Sequence, residues 1–293
     1  MILRHAVSIC GRAAGRLVAA ALIVLGVAAS AAAQAAPVAL PNPRKAQPER
    51  PSVATHAFTV APGHVELETG FQRQKQGTLA DRLAIPIKVK IGLNERIQLH
   101  IAPGVQRDTD SGYAESGLTD LVLGLKWRLT DDVPVLGALA LQTEVSLPTG
   151  SEASGRGTGV AAVNLAALSS HSIGPVAIDV NAWYTRRGGD GTIAPSNSTL
   201  WAVATVFPVT SSLGWVVEMF GLPGTAGPTG EPPVVGFLSG PSISLKPSIV
   251  LDGGVVFGVA GFGRTVIYAG LTWNVGRAWG RSPALVLPPQ AGK

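Results

Sequence analysis

The regular alternation of apolar with polar or small side chains is the feature that most constrains this chain. It is clearest in residues 119–129, where Leu121, Leu123, Leu125, Trp127 and Leu129 alternate with Val122, Gly124, Lys126 and Arg128. Successive side chains on a strand point to opposite faces, so one face of this segment is apolar and the other is small or charged. The pattern recurs in segments of about ten residues, which is typical of a membrane-spanning β-barrel.

Twelve segments show this period of two: residues 64–74, 82–91, 97–101, 119–129, 139–147, 159–168, 176–184, 200–207, 213–220, 235–245, 249–259 and 265–275. We therefore expect an all-β chain, a transmembrane antiparallel up-and-down β-barrel of about 12 strands. The number is even, as in single-chain bacterial barrels. Pro86 lies inside the second segment and predicts a bulge or weak pairing there, because proline has no N–H to donate.

The connections alternate in length. Tight turns are expected at residues 92–95, 208–212 and 246–247, and longer polar loops at 106–116, 149–158, 186–197 and 222–233. Outer-membrane barrels have short periplasmic turns and long external loops, so the alternation also predicts the orientation. Aromatic side chains near both strand ends predict two interfacial girdles. The periplasmic girdle would hold Trp127, Phe207, Trp215 and Trp273, and the external girdle Phe71, Tyr184, Trp201 and Phe220.

The N-terminus has the pattern of an export signal. Arg4, His5, Arg12 and Arg16 form a basic region before an apolar stretch from Leu17 to Ala29. Ala33-Gln34-Ala35 then forms a cleavage signal, so residues 1–35 are predicted to be removed. The apolar stretch is shorter than the roughly 18 residues of a spanning helix. Residues 36–57, rich in proline, are expected to form a periplasmic lead-in without regular structure. Residues 58–276 form the predicted barrel and 277–293 a C-terminal tail.

Charge and cysteine content limit the class of protein. Loss of three arginines from the 23 Lys and Arg leaves near balance with the 18 Asp and Glu, which gives no reason to expect a nucleic-acid partner. Cys10 is the one cysteine and precedes the apolar stretch, so the mature chain can form no disulfide. A periplasmic domain held by disulfides is therefore excluded.

Charged residues on the inward faces are the candidates for a specific function. A hairpin centred on Thr78 would place Glu68 opposite Lys88 and Glu66 opposite Lys90, close enough for opposite charges to attract. A hairpin centred on Val135 would place Lys126 opposite Glu144. The candidate lumen-lining residues are Glu66, Glu68, Lys88, Lys90, His100, Asp120, Lys126, Arg128, Glu144, Asp179, Glu218 and Asp252.

Enzyme and metal motifs are absent from the sequence. It contains no G-x-S-x-G, H-E-x-x-H or C-x-x-C, and beyond a weak His56/His64 pair its histidines lack metal-ligand spacing. Residues 155–159 resemble a phosphate loop only superficially, since no strand-to-helix context surrounds them. We expect no enzyme and no cofactor. An outer-membrane hydrolase with a Ser/His pair, His100 being its candidate base, stays open as the least favoured alternative.

Two motifs resemble a known family. Residues 117–127 read GLTDLVLGLKW and residues 144–150 read EVSLPTG. They are similar to the outer-membrane transporters of the MetA-pathway of phenol degradation, and the similarity extends over roughly residues 64–274. The resemblance implies that Asp120, Lys126 and Glu144 occupy the family's characteristic polar positions. Barrels of this type usually end on an aromatic residue, whereas Val275 holds that position here. Either Trp279 ends a longer last strand or the tail is a periplasmic extension.

The sequence thus predicts a monomeric outer-membrane barrel acting as a passive channel for small hydrophobic or aromatic solutes. Its partners would be outer-membrane lipid and the solute. Twelve strands leave a narrower lumen than about 16, so inward side chains should control passage. The competing prediction is a structural or interaction barrel that displays loops 106–116 and 186–197. A lumen plugged by large inward side chains would favour it.

Overall fold

The computed structural model describes residues 42–50, 52–76, 80–110, 113–261 and 263–279. The predicted signal peptide and the tail beyond Trp279 lie outside these residues. The strands are β1 (His64–Gln76), β2 (Ala80–Gly92), β3 (Ile97–Ala102), β4 (Gly104–Asp110), β5 (Tyr113–Leu118), β6 (Leu121–Arg128), β7 (Ala138–Leu147), β8 (Ala162–Ile173), β9 (Val176–Arg187), β10 (Asn197–Pro208), β11 (Leu213–Leu222), β12 (Val234–Lys246), β13 (Ile249–Ala260) and β14 (Thr265–Arg277).

The strands form one closed antiparallel sheet. Each pairs with its neighbours in the sheet, and β1 pairs with both β2 and β14, which closes the barrel. Strands β3 and β4 both pair with β2, while β6 pairs with β3 and β5 with β4. Strands β3 and β4 are therefore two parts of one wall strand, and β5 and β6 are two parts of the next. The barrel thus has twelve wall strands, as predicted. No helix among the described residues is long and apolar enough to cross a membrane.

Several predicted strand ends need correction. Residues 106–116, predicted to be a loop, are mostly the paired ends of β4 and β5. Beyond the hydrocarbon both faces of a strand meet water, so the apolar alternation that reveals a strand in sequence disappears there. Strand β6 ends at Arg128 and β8 begins at Ala162, not at the predicted positions 129 and 159. Trp279 lies in a bend beyond the end of β14 and does not end a longer last strand.

Pro86 weakens the sheet as predicted. The pairing of β1 with β2 stops after Thr69↔Ile87 and resumes at Gln72↔Ala84 in the same register. On the other side of β2, Pro103 separates β3 from β4. Proline cannot donate to a ladder, so the two prolines account for both interruptions.

The outward face is an apolar belt with aromatic residues near its rims. Seven of the eight predicted girdle residues point outward and are 37–49 % exposed: Trp127, Phe207, Trp215, Trp273, Phe71, Tyr184 and Trp201. The prediction for Phe220 is wrong. It shares the inward parity of Glu218 and is 5 % exposed, packed against other apolar side chains inside the barrel.

The first predicted register is confirmed and the second is wrong. Glu66 lies opposite Lys90 and Glu68 opposite Lys88. Lys126, however, lies opposite Gln142. The tip of that hairpin is centred as predicted, since Val133 bridges to Gly137. Beside the tip, the N–H groups of Leu129 and Thr130 both donate to the carbonyl of Leu139, and this irregularity moves the strands by two residues.

Val255 and Val259 offer a matched test of the membrane-spanning arrangement. Both point outward from β13, Val255 near its middle and Val259 near its external end. We expect Val255→Arg to lower the free energy of unfolding in lipid by about 2–4 kcal/mol, and Val259→Arg by less than about 1 kcal/mol, because the cost of a lipid-facing charge peaks at the bilayer midplane. Urea titration of the protein in liposomes measures both. Equal losses would contradict the assigned depth.

Candidate functional site

The chain segment before the first strand lies inside the barrel. This segment, residues 42–63 with residue 51 not described, is called the plug here; its described residues contain no helix or strand. Ala46 N–H donates to the carbonyl of Pro247 (2.8 Å) in the turn between β12 and β13. Thr59 Oγ1 donates to the carbonyl of Glu95 (2.9 Å) in the turn between β2 and β3. Both contacts are at the periplasmic end, so the plug enters and leaves the lumen there.

This placement corrects the predicted periplasmic lead-in over residues 36–57. The described part, residues 42–50 and 52–57, contacts inward-facing side chains around the wall. The physical reason is that the irregular backbone of the plug needs hydrogen-bond partners, and the inward carboxylates and amides supply them.

Glu49 of the plug lies at the centre of a cluster of buried charges. Its carboxylate accepts hydrogen bonds from Lys126 Nζ (2.5 Å), Lys88 Nζ (2.9 Å) and Gln98 Nε2 (2.9 Å). Its side chain is 2 % exposed, and that of Lys126 is fully buried. Burial by itself would raise the pKa of the Glu49 carboxyl. The charges of Lys126, Lys88 and Lys90 outweigh burial and hold that pKa well below its usual range, so Glu49 is ionised at neutral pH.

Backbone N–H groups of the plug are bound by polar side chains of the wall. The Glu218 carboxylate accepts hydrogen bonds from two consecutive backbone N–H groups, those of Val53 (3.0 Å) and Ala54 (2.7 Å). The other contacts of this kind are Gln47 N–Glu66 Oε2 (2.8 Å), Glu49 N–Glu68 Oε1 (2.7 Å), Thr55 N–Asn181 Oδ1 (2.7 Å), Ala57 N–Ser170 Oγ (2.8 Å) and Val60 N–Gln98 Oε1 (2.9 Å). These acceptors come from β1, β3, β8, β9 and β11, so the plug crosses the lumen from side to side.

One of the two ion pairs that the β1–β2 register suggests forms, and the other does not. Lys90 bridges Glu66 and Glu68, each at 2.6 Å, and donates to the carbonyl of Gln47. Lys88 pairs with Glu49 of the plug rather than with the opposite Glu68. The lysines of β2 therefore join the plug to the wall.

Arg50 attaches the plug to the other side of the barrel. Its Nη2 lies 3.7 Å from Asp252 Oδ1 on β13. The guanidinium lies over Gly70 and Gly270, which are paired across β1 and β14. A Cβ added at Gly270 would lie 2.6 Å from Arg50 Nε, so the two glycines provide the room for this side chain.

Ten of the twelve predicted site residues line the lumen. Seven of them contact the plug: Glu66, Glu68, Lys88, Lys90, Lys126, Glu218 and Asp252. The other three contact wall side chains: His100 Nε2 lies 3.0 Å from Glu144 Oε1, and Asp179 accepts a hydrogen bond from Ser170 Oγ (2.5 Å).

Asp120 and Arg128 lie elsewhere. Asp120 accepts hydrogen bonds from the N–H groups of Gly150 (3.0 Å) and Thr158 (2.8 Å), and so holds the external loop between β7 and β8. Arg128 lies at the periplasmic rim, where Nη2 donates to the carbonyl of Glu95 (2.6 Å). Asp120 immediately precedes β6 and Arg128 is its last residue. At the two rims of the barrel, a side chain on the inward face of a strand reaches a loop or a turn and not the lumen.

Sequence reasoning missed the plug residues and the uncharged wall residues that hold them, Gln98, Ser170 and Asn181. The sequence-based register hid the need for them, because it placed Glu144 opposite Lys126. In the structure the wall residue opposite Lys126 is the uncharged Gln142, so this buried lysine needs another counter-charge. The acidic residue of the proline-rich segment, Glu49, was available to supply it.

The external half of the lumen has an apolar side. Its inward side chains on β9 to β13 include Trp183, Leu200, Phe220, Leu222, Leu238 and Val256. Val53 and Ala54, where the plug meets β10 and β11, pack against the lower part of this surface. The opposite side is polar, with Gln106, Glu144 and Asn164 facing inward.

The glycine-rich segment at residues 155–159 belongs to the external loop over that polar side. Arg156 Nη2 donates to Glu115 Oε1 (2.6 Å), and the carbonyl of Gly155 accepts from Arg82 and Gln106. The segment is thus fixed by contacts within the protein, as expected for a barrel loop. Among the described residues, no group of three or more His, Cys, Asp and Glu could hold a metal ion.

Comparisons with known proteins show the fold. No family model matches the sequence, and no curated protein matches it. The structure of an outer membrane channel from Pseudomonas putida F1 is similar to this chain, with a TM-score of 0.62 and 12 % identity over 74 % of this chain and 97 % of that one. The chain therefore has the fold of an outer-membrane β-barrel.

Two further matches are more distant. They are the NanC porin (TM-score 0.48, 9 % identity, 71 % of this chain and 98 % of that one) and the CymD monoaromatic hydrocarbon channel (TM-score 0.44, 10 % identity, 75 % and 90 %).

Glu49→Gln tests whether the charge cluster holds the plug. The substitution keeps the shape of the side chain and removes the carboxylate charge that Lys88 and Lys126 contact. Breaking a buried pair costs about 3–5 kcal/mol, so the plug should leave its position more often and expose residue 54. We therefore expect a cysteine placed at Ala54 to react with a maleimide at least about tenfold faster in this variant. Glu144→Gln is the control, because Glu144 contacts His100 and not the plug. Equal labelling of the two variants would contradict the assigned role.

Proposed function

We propose that this outer-membrane barrel is a passive channel for small hydrophobic or aromatic solutes, and that the plug restricts its lumen. The function is of the kind carried by the outer-membrane transporters of the MetA-pathway of phenol degradation, which residues 117–127 and 144–150 resemble. Diffusion through a barrel needs no covalent step and no cofactor. The barrel would act as a monomer, with membrane lipid outside and solute inside.

The apolar side of the external half of the lumen carries this proposal. Water-filled pores are lined by polar side chains, whereas here Trp183, Phe220 and Leu238 point inward on neighbouring parts of one wall. An apolar solute arriving from outside would lose contact with water against this surface, which is favourable at roughly 25 cal/mol per Å² of apolar area. The polar side opposite could keep hydroxyl or carbonyl groups of the solute solvated.

The plug supports a restricted channel rather than a solid barrel. Its contacts with the wall are mostly hydrogen bonds and ion pairs from side chains, together with small apolar residues such as Ala54 and Ala57. Contacts of this kind can be exchanged for water. The lower end of the apolar surface is occupied by Val53 and Ala54, so a solute that follows this surface reaches the plug next.

A barrel that only displays its loops is the second candidate, favoured by one observation. The plug crosses the lumen from β1 to β11, and a plugged lumen was the expected mark of a structural barrel. The filling comes from a separate chain segment, however, and not from large inward side chains of the wall. The two candidates therefore differ in what loosening the plug should do.

Liposome uptake separates them. With Glu49→Gln protein in the bilayer, we expect a small aromatic alcohol to enter at least about tenfold faster than with Glu144→Gln protein, as an unlatched plug leaves the lumen more often. Empty liposomes give the background of direct diffusion, which is subtracted. Uptake at the background rate in both variants would contradict a channel and favour the structural barrel.

Phe220→Asn tests the apolar surface in the Glu49→Gln background. The change removes one aromatic ring from the lumen wall, which weakens the contact between wall and apolar solute by on the order of 1 kcal/mol. We therefore expect the ratio of aromatic to sugar uptake to fall about three- to tenfold. The matched control is Asn164→Ala on the polar side, for which the ratio should stay within about twofold. A ratio that responds equally to both changes would contradict the assigned path.

A further inference from the structure

The outer surface of the barrel carries a cluster of cations at one place on its external rim. Arg73 and Lys75 lie on β1, and Arg107 lies on β4. All three are exposed. This cluster is called the basic face here. It lies outside the lumen, so its role does not depend on which solute passes through the barrel.

The sheet register places these cations side by side. Arg73 lies opposite Leu83, and Leu83 lies opposite Arg107, so the two arginines are two strand spacings, or about 10 Å, apart on the outward side. Lys75 follows Arg73 on the same face of β1.

The basic face begins where the lipid-facing surface ends. One step towards the periplasm, the outward residues on these wall strands are Phe71, Ile85 and Val105, which are 42 %, 43 % and 39 % exposed. An apolar band followed by a row of cations marks the level of the lipid headgroups. The described outward residues of these strand ends include one carboxylate, Asp81, which Arg73 binds through Nε and Nη2. Three cations against one carboxylate leave the face positive.

We propose that the basic face binds the phosphate groups of the anionic glycolipid in the outer leaflet of the outer membrane. Arginine matches phosphate with paired N–H donors, and lysine adds a point charge. The separation of Arg73 and Arg107 allows one lipid with two phosphate groups to contact both. Anionic headgroups attract clustered Lys and Arg additively.

The far side of the barrel provides a matched control. Arg186 also points outward near the external end of β9, six wall strands from β1. Its neighbours across the sheet are Val163 and Asn197, neither of them a cation, and its Nη1 donates to Asn197 Oδ1. A single cation of this kind lacks the multiple charges that the basic face offers.

Binding of purified lipid A to the detergent-solubilised mature protein tests the proposal, by native mass spectrometry with titrated lipid. Each variant is first shown to keep the β-sheet circular dichroism of the unaltered protein. Loss of each charge should weaken binding about fivefold. We therefore expect the triple change Arg73→Gln, Lys75→Gln and Arg107→Gln to weaken binding about 100-fold. Arg186→Gln should stay within about twofold. Asp81→Asn, which frees Arg73, should strengthen binding by up to about fivefold.

Two ligand arms identify the source of the phosphate. Lipid A from which both phosphates have been removed should bind the unaltered protein no better than it binds the triple variant, and inorganic phosphate at millimolar concentration should not displace intact lipid A. Equal binding of intact and dephosphorylated lipid, full displacement by inorganic phosphate, or a triple variant that binds as tightly as the unaltered protein would each overturn the proposal.

Discussion

Hydrocarbon offers no partner to a backbone N–H or carbonyl, and this constraint decides the arrangement of the strands. A row of strands leaves two unpaired edges, and here the pairing of β1 with β14 removes both. Closure assigns one face of every wall strand to lipid and the other to an interior. The pairing is interrupted at Pro86 and at Pro103. Proline has no N–H group, so it leaves no backbone donor unpaired at an interruption.

The interior created by closure holds charges that need partners. Lys126 and Lys90 are fully buried, and an unpaired buried ammonium would be strongly unfavourable. The plug has the complementary need, since its irregular backbone forms no ladder of its own. Glu49 supplies a counter-charge to the lysines, and Glu218 supplies acceptors to the plug backbone. Wall and plug therefore depend on each other.

Each surface of the finished barrel carries its own chemistry. The lumen has an apolar side leading to the plug and a polar side beneath the loop that Asp120 holds, which is the basis for proposing a channel for apolar solutes. The outer surface changes from lipid-facing apolar side chains to the cations around Arg73 and Arg107 within one step along the strands. The first feature concerns what passes through the barrel, and the second what surrounds it.

The sequence by itself determined the twelve wall strands, their faces and the pairing of Glu66 with Lys90, because alternation and a simple hairpin are local properties of the chain. Only the tertiary structure decided the rest. One irregularity beside Thr130 moved Lys126 away from Glu144, and a strand pattern does not reveal such a shift. The position of the plug was also out of reach, because its contacts join residues as distant as Thr55 and Asn181, 126 positions apart, which become neighbours only once the barrel has closed.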